Sequence, residues 1–363
     1  MGFLKNIFKL TDEPVKSYDD FWNWFQKNEK FFHKVVKENG NIEKEFFDKI
    51  SPKLNEIKDG FYYLTGMCDD QTAELILTAD GNLKNLVFVE ELINAAPQID
   101  NWKFTALKPA LTIKDVNIDM AGYKFNNQNL SFYPNELAEY PDEIDITIVH
   151  EDLTVDNKTQ ITNGVYIFLD NYLGELDFAT TIDNLQIVGK EEVKNETISI
   201  DKLKDFLKWR QKEFIEKYEG VRHNTENDSY SSLEAELESG NVLLAIINTD
   251  LLNWDSKASH PWLCVCTIKY DGSNNNDMPN GEDYEAMNII EEEIMSELRD
   301  FDGYLNFGRQ TAKSEREIYF ACKDFRLPAK VFFKLKKKYA KRYEIEFDIY
   351  KDKYWQSLER FNS

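Results

Sequence analysis

Few side chains in this sequence stand where they could do chemistry together. The four histidines, His33, His150, His223 and His260, are scattered singly. Imidazole is the group that serves proton transfer near neutral pH, so acid–base work has little to draw on. Cys264 and Cys266 stand two apart in an apolar run, and in a strand that spacing puts both on one face with Trp262 and Ile268. With Cys68 and Cys322 they match neither a disulfide framework nor the ligand spacing of a zinc or iron–sulfur centre. The expectation is reduced, buried thiols, no metal and no cofactor. Carboxylate pairs such as Asp142 and Asp145 do acid–base work only when burial moves one pKa; in a chain this acidic they read as surface charge. The dinucleotide turn, the phosphate loop, the nucleophile elbow and the paired-histidine zinc helix are all absent, so an enzyme is not the favoured reading.

Two basic features run against that background. Arg309 and Arg316 flank a turn between strand-like runs, and the planar fork of arginine suits carboxylates and phosphates; structural pairing with neighbouring acids uses the same geometry. From Arg326 to Tyr343 lie eight Lys and Arg residues and no acid. One reading is a groove for RNA or an acidic partner, centred on Lys330–Arg342. The other, preferred, is a solvated helix face whose cations crowd its carboxy end while Val331, Phe332, Leu335 and Tyr339 pack inward. His260, just before Pro261-Trp262, reads as a residue at a strand edge, with a binding role as the alternative.

The elements that must position these residues belong to an α+β protein. Its 363 residues exceed one ordinary domain, and 42% apolar with 14% aromatic content marks a folded chain. Three- and four-residue spacings predict helices over Tyr18–Lys37 and Glu43–Lys58. Strands are expected at Phe61–Gly66, Ala73–Thr78 and Asn101–Leu107, with a helix between the last two that ends before Pro97. Further strands are expected near Val116–Ile118, Leu130–Tyr133, Ile144–Val149, Val165–Leu169 and Leu185–Val188, with helices at Asp177–Ile182 and about Ile200–Glu219. The polar stretch 222–229 reads as a linker, dividing the chain into domains at 1–225 and 226–363. In the second domain, the strand Val242–Thr249 is apolar on both faces and so expected to be central. From Trp262 onward the order is strand, helix (about 282–299), the hairpin Tyr304–Gln310 and Arg316–Cys322, helix (Pro328–Lys341) and strand (Tyr343–Tyr350). That is the βαββαβ order of a ferredoxin-like sandwich, with the strand at Val242 added.

The net charge, 44 Lys+Arg against 66 Asp+Glu, is −22. Such a field repels phosphate backbones and anionic membranes, so a basic protein is the expected partner and nucleic acid is not. No run reaches the 18 or so apolar residues of a membrane span. The first ten residues lack a secretory pattern, although Leu4, Ile7 and Phe8 form a short apolar face. With so few cysteines, a cytoplasmic location is expected.

Several motifs then carry a resemblance. Pro261-Trp262-Leu263-Cys264-Val265, Met278-Pro279 leading into Tyr284-Glu285-Ala286-Met287-Asn288-Ile289-Ile290-Glu291, Gly308-Arg309-Gln310-Thr311, Arg316-Glu317-Ile318-Tyr319-Phe320 and Tyr354-Trp355 occur in order. Over about residues 235–361 the chain resembles the bacterial domain of unknown function 695 family. The first half is similar to the uncharacterised region that often precedes that domain, through Trp22-x-Trp24-Phe25, Ala95-Ala96-Pro97, Trp102 and Leu173-Gly174-Glu175. Where the family's usual glycine stands in the hairpin turn, this chain has Ala312-Lys313-Ser314-Glu315. More distantly, the domain is similar to the regulator of ribonuclease activity B family, small acidic proteins that bind and inhibit a ribonuclease. The resemblance implies a ferredoxin-like fold and an inhibitory or regulatory role. The candidate partner-binding residues are Arg309, Thr311, Arg316, Glu317 and His260. The leading expectation is a non-enzymatic protein-binding or regulatory protein, an inhibitor of an RNA-processing enzyme or toxin; its rival is a cryptic hydrolase or nucleotide-binding enzyme sited between the two domains.

Overall fold

Ser17 accepts a hydrogen bond from the Asp20 amide, and from this cap helix α1 (Tyr18–Lys37) runs with Phe21, Trp24, Phe25, Phe32, Val35 and Val36 buried on one face. The structure, a computed structural model, describes residues 14–362; the short apolar face at Leu4, Ile7 and Phe8 lies outside them. A π-helical turn (Glu43–Phe47) leads into α2 (Asp48–Ile57). Strands β1 (Tyr62–Met67) and β2 (Ala73–Thr78) pair antiparallel, and after α3 (Leu83–Asn94) strand β3 (Trp102–Ala106) joins β2 in parallel. Trp22, Phe25 and Phe104 meet ring to ring against Trp102, so the Trp22-x-Trp24-Phe25 motif is core. A small hairpin, β4 (Ile118–Met120) and β5 (Tyr123–Phe125), follows.

Next come β6 (Leu130–Asn135) and β7 (Asp145–His150). The segment expected as a strand at Val165–Leu169 is instead part of helix α4 (Lys158–Leu173). Ile161, Val165, Phe168, Leu169 and Tyr172 recur at helical spacing and are buried; a five-residue apolar window cannot separate the two periods. Helix α5 (Glu175–Thr181) precedes β8 (Asn184–Gly189) and β9 (Ile198–Ser199), giving a four-stranded sheet ordered β8-β7-β6-β9. Helix α6 (Leu203–Tyr218) follows.

The chain divides into two compact units. Of the described residues, one takes those up to Asn129 together with Val155–Ala179; the other takes Leu130–Thr154 and those from Thr180 onward. The polar stretch 222–229 falls inside the second unit, where the amide and hydroxyl of Thr225 both donate to Asp300.

That unit also holds a six-stranded sheet of β10 (Tyr230–Glu236), β11 (Val242–Asn248), β12 (Trp262–Lys269), β13 (Tyr304–Ala312), β14 (Glu315–Cys322) and β15 (Glu344–Lys351), ordered β10-β11-β13-β14-β12-β15. All its pairings are antiparallel. Helix α7 (Thr249–Leu252) follows β11, α8 (Gly281–Glu297) joins β12 to β13, and α9 (Arg326–Tyr339) joins β14 to β15. One sheet face closes over Leu251, Phe307, Trp355, Leu358 and Phe361. Between β12 and β15 or β14, Cys264, Cys266 and Cys322 are buried free thiols. Burial pushes the Cys266 thiol up to about 12, which keeps it protonated near neutral pH. Strand β10 was not legible as a strand, and β11, expected to be central, lies one strand from the edge.

Candidate functional site

The site is built by a local irregularity. Register between β13 and β14 shifts at Asn306/Gly308, a bulge that reverses which residues face which way. Gly308 sits at φ +134°, and a Cβ there would meet the Ile246 carbonyl oxygen at 2.2 Å, so only glycine fits this approach to β11. Beyond the bulge, Arg309 and Thr311 pair in register with Ile318 and Arg316 of β14 and with Ile246 and Leu244 of β11. Arg309, Thr311 and Arg316 therefore share one face, while Gln310 and Glu317 share the other.

Helix α8 lies over the first of these faces. The Arg309 guanidinium meets Glu291 at 2.7 Å, a pair with little solvent exposure. Arg316 is 1% exposed: its Nε donates to Thr311 Oγ1 at 3.3 Å and its Nη1 to Asn288 Oδ1 at 2.8 Å. Its guanidinium also stands 5.0 Å from the Tyr284 ring centre. Burial, then the neighbouring Arg309 charge, lowers its affinity for the proton. Arg316 is thus a buried strut that fixes α8 and Tyr284, and Arg309 is the more accessible of the two arginines.

The other two candidates lie elsewhere. Glu317 accepts from Gln310 Nε2 at 2.9 Å and from the Tyr319 hydroxyl at 2.8 Å on the opposite face. His260 is wholly buried. Its Nδ1 hydrogen-bonds Ser259 Oγ at 2.8 Å, its Nε2 has no partner among the described residues, and burial, aided by Lys323, Arg222 and His223, pushes its pKa down to about 3. The result is a neutral imidazole packed beside Trp254.

Sequence reasoning missed what borders Arg309. On β11, Leu244 is 41% and Val242 37% exposed, and their β10 cross-strand neighbours are Glu234 and Glu236. Tyr284 and Met295 of α8 are exposed too. The result is an apolar strip on the helix side of β10 and β11, rimmed by acids. The signal is the unbroken apolar run 242–247, which implies burial on both faces and does not say which face lacks cover.

The basic run is mostly spent within this unit. Lys334 reaches Glu297 at 2.8 Å, Lys338 reaches Glu293 at 2.6 Å, and Arg342 contacts both Glu282 and Asp283. These are cross-element ion pairs between the basic α9 region and the acidic α8.

Asp142 and Asp145, expected as surface charge, are a correction: Asp145 is buried and Asp142 half-buried. Asp142 accepts from Lys217, Tyr218 and Tyr354. Burial opposes its charge, but those hydrogen bonds outweigh it and hold the carboxyl below its ordinary range. Nearby, Asp183 bridges Lys351 and Lys353, each at 2.8 Å.

Among the described residues, no helix is long and apolar enough to cross a membrane, and no three His, Cys, Asp or Glu side chains are grouped to hold a metal ion. The second unit thus presents an α+β layer with an acid-rimmed, partly uncovered sheet face. A family of unknown function, DUF695, matches residues 239–361, which takes in β11, the hairpin, α8 and α9. No curated protein and no solved structure matches the chain.

Proposed function

We propose that this chain is a non-enzymatic, cytoplasmic regulatory protein that takes up a basic amphipathic helix of a protein partner beside α8, on the helix side of β10 and β11. The observation that carries this is the exposed pair Val242 and Leu244 with Glu234 and Glu236 across from them. Helices already cover the neighbouring strands of that face, and a further helix laid beside α8 would continue the layer and bury the apolar strip. The acidic rim and the net charge of −22 select a cationic partner and speed its approach, an attraction screened beyond roughly 8–10 Å at physiological ionic strength. The strand order β13-β14-β12-β15 with α8 and α9 supports a ferredoxin-like sandwich extended by two strands. By the distant likeness to the regulator of ribonuclease activity B family, the partner is an RNA-processing enzyme or toxin that this protein inhibits.

Capture from the native host at low and moderate salt, using the wild type and Val242→Glu/Leu244→Glu in parallel, tests the reading. Both positions are exposed, so the variant keeps its fold. A basic protein is expected on the wild type, with affinity reduced about ten-fold or more in the variant and weakened by salt. An acidic partner, single-stranded RNA, or a protein bound equally by the variant overturns it.

The two-part organisation with a boundary near residue 225 belongs to the same proposal. Residues 226–363 expressed alone are expected to unfold cooperatively, but with lower stability than the whole, since Lys351 and Lys353 lose Asp183 and Lys353 also loses the Asp142 carbonyl. Denaturant titration followed by tryptophan fluorescence checks this, and a broad, uncooperative transition would remove the boundary.

A further inference from the structure

A separate cleft in the second unit, of about 400 Å3, is walled by Phe206 and Trp209 of α6 with Leu137 and Tyr140. A neighbouring cleft of about 520 Å3 shares Leu137, Tyr140, Glu143 and Asp145 with it. The residue that makes the first cleft chemically uneven is Asp145, which lines both and is only 7% exposed. Its Oδ1 accepts from Asn135 Nδ2 at 2.8 Å, and its Oδ2 meets no donor among the described residues. That oxygen is open to the cleft, so a donor entering there can complete a carboxylate that is otherwise almost wholly covered.

The surroundings say what that would be. Glu136, Glu143 and Asp145 line the 400 Å3 cleft against the single cation Arg210. Arg210 is already engaged, donating through Nη2 to the carbonyls of Pro141 and Glu143 at 2.8 and 3.1 Å. Burial, reinforced by the Asp183 charge, pushes the Glu143 carboxyl up, and positive charge brought alongside would relieve that strain. The cleft has no grouped triad for a metal ion, is far roomier than a bare ion needs, and offers Trp209, 53% exposed, as an aromatic wall. Tryptophan is the best of the aromatic rings for holding a cation against its face.

We infer that this cleft binds an organic cation, a guanidinium or alkylammonium head on an apolar stem, with Asp145 receiving the charge and Phe206 and Trp209 flanking the stem. Such a group is carried by a free small molecule or by a lysine or arginine of a protein. Calorimetric titration of the full chain at low salt, with agmatine in one arm and the blocked peptide Gly-Arg-Gly in the other, separates the two sources; the peptide with citrulline in place of arginine is the neutral control.

One or both cations are expected to bind and the citrulline peptide is not. Affinity should fall roughly ten-fold or more in Asp145→Asn and several-fold in Trp209→Ala. Trp209→Ala, at an exposed position, keeps the test decisive if Asp145→Asn does not fold. Failure of both cations to bind, equal binding of the citrulline peptide, or unchanged affinity in the variants overturns the inference. Neither arm involves the partner helix proposed for β10 and β11, so the two readings fail separately.

Discussion

Asp183→Ala is expected to cost the second unit about 3–5 kcal/mol, because it strands two ammonium groups that the fold has taken out of water. Lys353 is 2% exposed and holds Asp183 and the Asp142 carbonyl; Lys351 holds the other Asp183 oxygen and the Thr181 carbonyl. The carbonyls remain in the variant, but they offset only part of each charge. Equilibrium denaturation of wild type and variant measures the loss, and a difference under 1 kcal/mol would show the cluster to be hydrated in solution. The same cluster sets a pH signature. Burial lowers Lys351 to about 8 even with Asp183 beside it, whereas lysine in an unfolded chain titrates near 10.4. The penalty for burying its charge is fully present below pH 8. Between about pH 8 and 10 the unfolded chain holds the extra proton, so this lysine's contribution to stability rises with pH in that window, opposed by Cys266, whose thiol the unfolded chain ionises first. The stability of the wild type minus that of Lys351→Met should therefore rise between about pH 8 and 10, and a constant difference would refute the assignment.

In the first unit the largest effect belongs to Glu175, the acid of the Leu173-Gly174-Glu175 motif, which is 1% exposed. Its Oε1 accepts from the amides of Ala79 and Gly81 at 2.9 and 3.0 Å, and its Oε2 from the Thr78 hydroxyl at 2.5 Å and the Lys108 amide at 3.0 Å. One carboxylate thereby ties the loop after β2 to the segment after β3. Gly174, at φ +83° with the Ala110 amide nitrogen 2.8 Å from where a Cβ would stand, lets the chain make this approach. Glu175→Ala leaves four donors, those of Thr78 and Ala79 buried, with nothing to receive them, at a cost of about 3 kcal/mol or more. Glu175→Gln, which keeps acceptor capacity for only some of them, should fall between. Denaturation followed through Trp22, Trp24 and Trp102 reads this unit, and equal stability of all three proteins would show that water replaces the carboxylate at no cost.

Much of the architecture follows from periodicity that needs no partner to be seen. The apolar stripe of α1 and the alternation of β2 are local properties, and both elements lie where the residues place them, Tyr18–Lys37 and Ala73–Thr78. The order of strands and helices from Trp262 to Tyr350 is likewise written in alternation and turn residues. Composition alone determines the negative field, and with it the sign of the partner charge that the field favours.

The meaning of individual side chains was decided only in three dimensions. Arg309 and Arg316 look equivalent on either side of a turn, but the bulge at Gly308 and the overlying α8 bury Arg316 and leave Arg309 at the border of the strip. Asp145 looked like one more surface acid until β6 and β8 closed on either side of it. Leu244 and Val242 carry the signature of a central strand, yet no apolar pattern states which face of a sheet lacks cover. Burial and pairing depend on which distant segments arrive beside a residue, so spacing along the chain settles periodicity, while exposure, pKa and partner are settled by the packing.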